Sequence, residues 1–244
     1  ADHAQLELSI EKVTADRNAA GILIAAAGDS AISYTIQQSL LTFSSLGAIT
    51  ISALGPGKPT VSGTISGNVV GRSGVSGSGG TCGSCHGIAI ESAGGARARA
   101  TVKDNIVQQI DGSAMRATAG GSSVLAIAAT GNTFREPAGA NVEAIRMQAG
   151  TSKNDTATLC VDLGGAGPRK NTVMGKWSAE NAILVRNRFA ATTLRLVGYK
   201  GEGKDLAAIS RFLGARNAGA SARPLLGSGE VVNAFSAGDT CEVR

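Results

Sequence analysis

Apolar and polar positions alternate along this chain in short bursts, and the bursts are of two kinds. The first opens on a small residue and places apolar side chains at alternate positions. It occurs at residues 21–24 (Gly-Ile-Leu-Ile), 47–51 (Gly-Ala-Ile-Thr-Ile), 87–90 (Gly-Ile-Ala-Ile), 114–117 (Ala-Met-Arg-Ala) and 144–147 (Ala-Ile-Arg-Met). The second closes on an Asn followed by β-prone residues, at 64–70, 101–107, 128–134 and 163–173. Asn68, Asn105, Asn132 and Asn171 hold the equivalent place, and Ser39 takes it in residues 35–41. Alternation at period two predicts strands with one buried face. The Asn positions recur at steps of 37, 27 and 39 residues. A constant unit with variable joints is the pattern of a solenoid whose repeats stack on their neighbours. Each repeat reads as strand, turn, strand, turn, and no helical heptads interrupt it.

Asn suits a tight turn because it tolerates the left-handed region, so each Asn is expected to adopt that conformation itself. Its amide donates and accepts, which predicts a ladder of stacked Asn side chains. Insertions fall at residues 52–60, 71–85, 135–142, 149–158 and 166–170, and loops on a rigid coil are where binding is built. Residues 205–213 carry apolar side chains at helical spacing behind Asp205, with Arg216 and Gly219 beyond. They predict a short amphipathic helix that caps the coil. Residues 1–199 are thus read as coil, and 200–244 as capping helix and tail. At the other end Gln5, Leu6, Glu7, Leu8, Ser9 and Ile10 alternate with no cap before them, an edge open to pairing.

The alternation of Gly-Ile-x-Ile with x-x-Asn-x-Val resembles the right-handed parallel β-helix repeat of secreted bacterial surface proteins and polysaccharide enzymes. A more particular likeness runs through Cys160-Val161-Asp162-Leu163-Gly164-Gly165, Asn171-Thr172-Val173, Arg186-Asn187-Arg188-Phe189 and Leu194-Arg195-Leu196-Val197-Gly198-Tyr199. This stretch is similar to the closing β-helix segment of large bacterial adhesins of autotransporter type. The resemblance implies an all-β, right-handed parallel β-helix. We read the chain as a secreted or cell-surface module with a structural, adhesive or filament-forming role and no chemistry of its own. The uncapped edge at residues 5–10 points to head-to-tail self-association or to continuation of a longer surface protein. A polysaccharide-processing β-helix enzyme is the alternative the resemblance leaves.

Composition fits a narrow aliphatic interior: 43% of the 244 residues are hydrophobic but only 3% aromatic. No apolar run reaches the ~18 residues of a membrane span. Ala1-Asp2-His3-Ala4 reads as a processed terminus or as the start of a fragment.

Four cysteines allow three pairings. We read Cys82–Cys85 as a staple within a Gly/Ser loop and Cys160–Cys241 as a tie on the tail. The second closes a loop of about 80 residues, worth about 4 kcal/mol on the chain-entropy model. Paired cysteines suit an oxidising, extracellular setting. Cys82-Gly83-Ser84-Cys85-His86 also matches the attachment motif of c-type haem, with a sixth ligand from His3, Met115, Met147 or Met174. That alternative describes an electron-transfer module, and a zinc site is a further one. The expected assignment is a disulfide and no cofactor.

Charge is uneven. Residues 169–223 hold eleven Lys and Arg against Glu180, Glu202 and Asp205, a net of +8, while residues 1–168 carry −1. This basic segment predicts anionic glycans as partners, or a solvated face. Nucleic acid is not expected, since Trp177, Phe189, Tyr199 and Phe212 are too scattered to stack bases. Glycan hydrolysis needs clustered carboxylates, and Asp104, Asp111, Glu143, Asp155 and Asp162 fall on different repeats. Only an approach of Asp104 to Glu143 across repeats leaves room for such a pair.

Overall fold

The structure, a computed structural model, describes residues 4–80, 82, 85–139, 142–177, 182–227 and 234–241. His3, Glu180, Gly83 and Ser84 lie outside the described residues. The chain passes through three sheets in rotation. Coil one is β1 (Gln5–Glu11), β2 (Thr14–Asp16) and β3 (Ala20–Ala26), and coil two is β4 (Ala31–Gln37), β5 (Leu40–Thr42) and β6 (Gly47–Ala53). Coil three is β7 (Thr60–Ser66), β8 (Val69–Val70) and β9 (His86–Ser92), and coil four is β10 (Arg97–Lys103), β11 (Ile106–Gln108) and β12 (Met115–Ala119). Coil five is β13 (Val124–Thr130), β14 (Thr133–Arg135) and β15 (Ile145–Ala149), and coil six is β16 (Thr158–Leu163), β17 (Asn171–Met174) and β18 (Ile183–Asn187). Coil seven is β19 (Thr193–Val197), β20 (Asn217–Ala218) and β21 (Ala222–Leu226), with helix α1 (Leu206–Arg216) between its first two strands; β22 (Phe235–Gly238) follows.

Each strand pairs with the one three places on. Sheet A runs β1-β4-β7-β10-β13-β16-β19-β22, sheet B β2-β5-β8-β11-β14-β17-β20 and sheet C β3-β6-β9-β12-β15-β18-β21. The pairings are parallel. A mostly β chain with three parallel sheets and one helix fits a parallel β-helix.

Each repeat therefore holds three strands, where the pattern had suggested two. A corner splits every Asn run, so residues 64–70 contain both β7 and β8, and residues 101–107 both β10 and β11. The left-handed conformation at that corner falls one residue before Asn68, Asn105 and Asn132, whereas Lys170, before Asn171, is extended with φ −61°. φ is 63° at Gly67, 58° at Asp104 and 69° at Gly131, with 54° at Gln38 before Ser39. The expectation that Asn itself takes the turn is thus corrected. At these three the preceding residue bends the chain, which leaves the Asn side chain free to point inward, and Asn68, Asn105, Asn132 and Asn171 are all fully buried. Sheet B escaped notice because its strands span only two to four residues, too few for alternation to register.

Alternation sends columns of side chains inward from each sheet, and the columns are in register. In sheet A, Ile10, Ile36, Ile65, Val102, Ala129 and Leu163 succeed one another. In sheet C, Ile22, Ile49, Ile88, Met115, Ile145 and Ile183 do the same. Sheet B contributes Leu41, Val70, Val107, Phe134 and Val173. Stacked aliphatic side chains fill most of such a slot with few rings. Phe134 enters it from sheet B, and Tyr34 is 3% exposed in the core, where Gly63 beside it makes the room. A Cβ at Gly63 would collide with the Tyr34 carbonyl and ring.

Asp205 begins α1 by accepting from the Ala208 N–H at 2.8 Å. Ile209 and Leu213 are buried, and the helix packs on β20 and β21. It covers that end of sheets B and C while standing inside coil seven in sequence, so sheet strands continue past residue 199. No helix among the described residues is long and apolar enough to cross a membrane.

Candidate functional site

Three sets of residues bear on function: the Asn ladder, the cysteine loop with His86, and an arginine face beside that loop. The ladder is continuous. Asn68 N–H and Nδ2 both donate to Asn105 Oδ1, at 2.9 and 3.0 Å, and Asn105 N–H and Nδ2 donate in the same way to Asn132 Oδ1. Asn132 repeats this toward Asn171, each at 3.0 Å. Each Nδ2 also reaches a carbonyl in the coil before its own: Ile36, Ile65, Val102 and Ala129 in turn. These carbonyls sit near the corner, and the amides give each of them a donor from the next coil; Ala129 O also accepts from the Gly164 N–H at 2.8 Å. Ser39 opens the ladder, accepting from the Val13 N–H through Oγ and donating its own N–H to Asn68 Oδ1. Asn217 closes it. Its Oδ1 accepts from Asn171 and its Nδ2 donates to Leu213 O in the last turn of α1. The pattern had missed Asn217 because α1 separates it from any strand signal.

Cys82 and Cys85 form a disulfide, as do Cys160 and Cys241. The first takes up both thiols that haem thioethers would need. Met115 and Met147, considered as axial ligands, are fully buried in the sheet C interior, and Met174 is exposed on sheet B. His3, the other residue considered for the sixth position, lies outside the described residues.

His86 begins β9 at the edge of the staple. The Ser113 N–H donates to its Nδ1 at 3.1 Å, and Arg116 Nη1 lies 2.9 Å from its Nε2. The Ser113 N–H occupies the Nδ1 lone pair and a guanidinium stands beside Nε2, so a proton added at Nδ1 finds no acceptor. Burial first, then the Arg116 and Arg146 guanidiniums, push the imidazole down to about 4 from its ordinary 6.5. The unfolded chain binds this proton first. Stability is fully present above pH 6.5 and is lost as pH falls toward 4. The loss expected is about 2 kcal/mol, discounted for partial exposure. Denaturation midpoints at pH 7 and pH 4.5 measure it, and His86→Asn, which keeps an acceptor for Ser113, should flatten the slope. An equal slope in both proteins would refute this origin. Carboxylates held low act at more acid pH. Burial pushes Asp155 up, but N–H groups of Thr151 and Ser152 with the Thr151 hydroxyl outweigh it and hold the group down.

The arginines stand on the outer face of sheet C. Arg116 and Arg146 are register neighbours on β12 and β15. Both bend along their strands in the same manner. Arg116 Nε donates to Thr118 Oγ1 at 3.2 Å, and Arg146 Nη2 donates to Gln148 Oε1 at 3.4 Å. Arg186 follows on β18 in register with Gln148, and Arg188 donates to Thr151 O at 3.1 Å. Burial, then Arg188 and Arg146, lower the Arg186 pKa. The basic segment 169–223 does not form one face. Arg169 and Arg216 pair with Asp162 at 2.9 and 2.6 Å, and Arg195 is exposed on the outside of sheet A. Arg116 and Arg146 were legible as the third residue of two equivalent bursts. They were missed because charge was counted in blocks along the chain and not by phase.

Among the described residues the candidate carboxylates stand at separate places in the coils. Asp104 stands where coil four turns into sheet B, Glu143 where coil five turns into sheet C, and Asp162 outside sheet A. Among the described residues no three His, Cys, Asp or Glu side chains converge on a metal position. Outside sheet A a groove of about 370 Å³ runs past Glu7, Ser33 and Ser62, and another of about 360 Å³ lies between Arg99, Asp162 and the tail at Asp239–Cys241. Comparison with protein-family models, curated proteins and solved structures found no match for this chain.

Proposed function

We propose that this chain is a right-handed parallel β-helix serving as a secreted or cell-surface structural and adhesive module of a bacterial protein, akin to the passenger segments it resembles. One observation carries the reading. A single stack of registered coils, with a buried ladder along it, accounts for nearly all described residues, while its chemistry-bearing side chains lie apart. Two disulfides and no free cysteine among the described residues suit an oxidising setting. Head-to-tail self-association, or continuation into a longer surface protein, belongs to the same reading.

Intact source cells treated with a membrane-impermeant amine reagent test the location. The chain should be labelled, and its peptides should map as Cys160–Cys241 and Cys82–Cys85. A chain protected from the reagent with four free thiols would overturn the reading. Light scattering across a dilution series tests association: mass should grow with concentration, and an invariant monomer would remove the head-to-tail contact.

A further inference from the structure

We infer that the outer face of sheet C around Arg116, Arg146, Arg186 and Arg188 is a binding site for a linear acidic polysaccharide, carboxylated or sulfated. The inference gives the adhesive reading a ligand class and rests on it. It also moves the site away from the basic segment as a whole, since two of the four arginines precede residue 169.

The charge is concentrated and largely uncompensated. Among the described residues the one carboxylate within ion-pair distance of these four side chains is Glu91, 3.8 Å from Arg116. Arg146, among the described residues, donates only to Gln148, and Arg188 only to Thr151 O. Among the described residues Arg186 has no hydrogen-bond or ion-pair partner, and its charged neighbours are Arg188 and Arg146. A guanidinium offers five donors in a planar fork, so most of the donors on this face are unused. Holding like charges together in this way is unfavourable without an anion, and favourable when carboxylates or sulfates bridge the forks.

The spacing selects a polymer over a single ion. Arg116, Arg146 and Arg186 come from β12, β15 and β18, three successive strands of sheet C. Neighbouring strands lie about 4.8 Å apart, so the three arginines cover about 10 Å along the stack. One small anion cannot span that distance, whereas a chain with a charge on each of several sugars can. Thr118 and Gln148 stand between the arginines, and their polar groups already orient two of the guanidiniums. Single-stranded nucleic acid would need open aromatic platforms. The ring near this face, Phe189, already has the Arg188 guanidinium over it at 5.0 Å.

The test uses the full chain and immobilised polygalacturonate and heparin, with neutral dextran for comparison, at about 150 mM salt. Saturable binding to at least one acidic polymer and none to dextran is expected. Arg146→Glu with Arg186→Glu should weaken it by at least about tenfold, as loss of two charge-assisted contacts requires. Arg195→Glu with Lys200→Glu changes net charge equally, away from the arginine cluster, and should leave affinity within about twofold. Arg146→Gln with Arg186→Gln provides a milder pair if charge reversal impairs folding, and circular dichroism verifies the fold of each variant. Absence of binding to either acidic polymer, or equal losses in the two charge-reversed pairs, would overturn the site. Tighter binding to a single-stranded oligonucleotide than to either polysaccharide would overturn the ligand class. Neither failure bears on surface labelling, so the location of the protein is judged separately.

Discussion

Replacing Asn105 with Leu should lower the stability of the fold by about 3–4 kcal/mol, read as a fall in the denaturant midpoint. The side chain is fully buried and makes five hydrogen bonds. Leu leaves the Asn68 N–H without an acceptor and removes the Nδ2 donor that serves the Ile65 and Lys103 carbonyls. Each buried group left unpaired costs about 1–3 kcal/mol, which outweighs any gain from the added apolar surface. Asn105→Ser should cost less, because Ser39 fills the same place in coil two with its hydroxyl accepting from Val13. An unchanged midpoint in Asn105→Leu would mean that the ladder contributes nothing to stability.

Removing the Cys160–Cys241 bond should cost about 4 kcal/mol, since it closes a span of 81 residues. Cys160 faces outward from β16, and Cys241 borders a small cavity with Arg99 and Ala126 on β10 and β13. The tail therefore lies across the outside of sheet A, which explains why Ala126, an outward position, is only 2% exposed. Cys160→Ser with Cys241→Ser should lower the midpoint and speed amide exchange in β22, the strand nearest the tie. Removing Cys82–Cys85, which spans three residues, should cost about half as much on the same model. Equal midpoints for the tail variant and the parent would show that the packing of β22 on β19 holds the tail alone.

The arginine face illustrates how sequence order and spatial order separate in a stack of coils. Arg116 and Arg146 are 30 residues apart in sequence and adjacent in register. Arg169 and Arg216, inside the segment read as basic, spend their charge on Asp162 instead. His86 likewise drew notice as part of a cysteine motif, yet its contacts are with Ser113 and Arg116 one coil on.

What the sequence determined by itself was the period of the stack, the strands of sheets A and C, the Asn column and the helix behind Asp205. These are local signals: alternation, corner residues and a cap act within a few positions of one another. The third sheet, the left-handed corner residue before Asn68, Asn105 and Asn132, the last rung at Asn217 and the grouping of the arginines were decided only in the tertiary structure. Strands of two to four residues carry too little pattern to be seen. Side chains brought together by coil-to-coil register share no neighbourhood in the chain, so their coupling exists only once the coils are stacked.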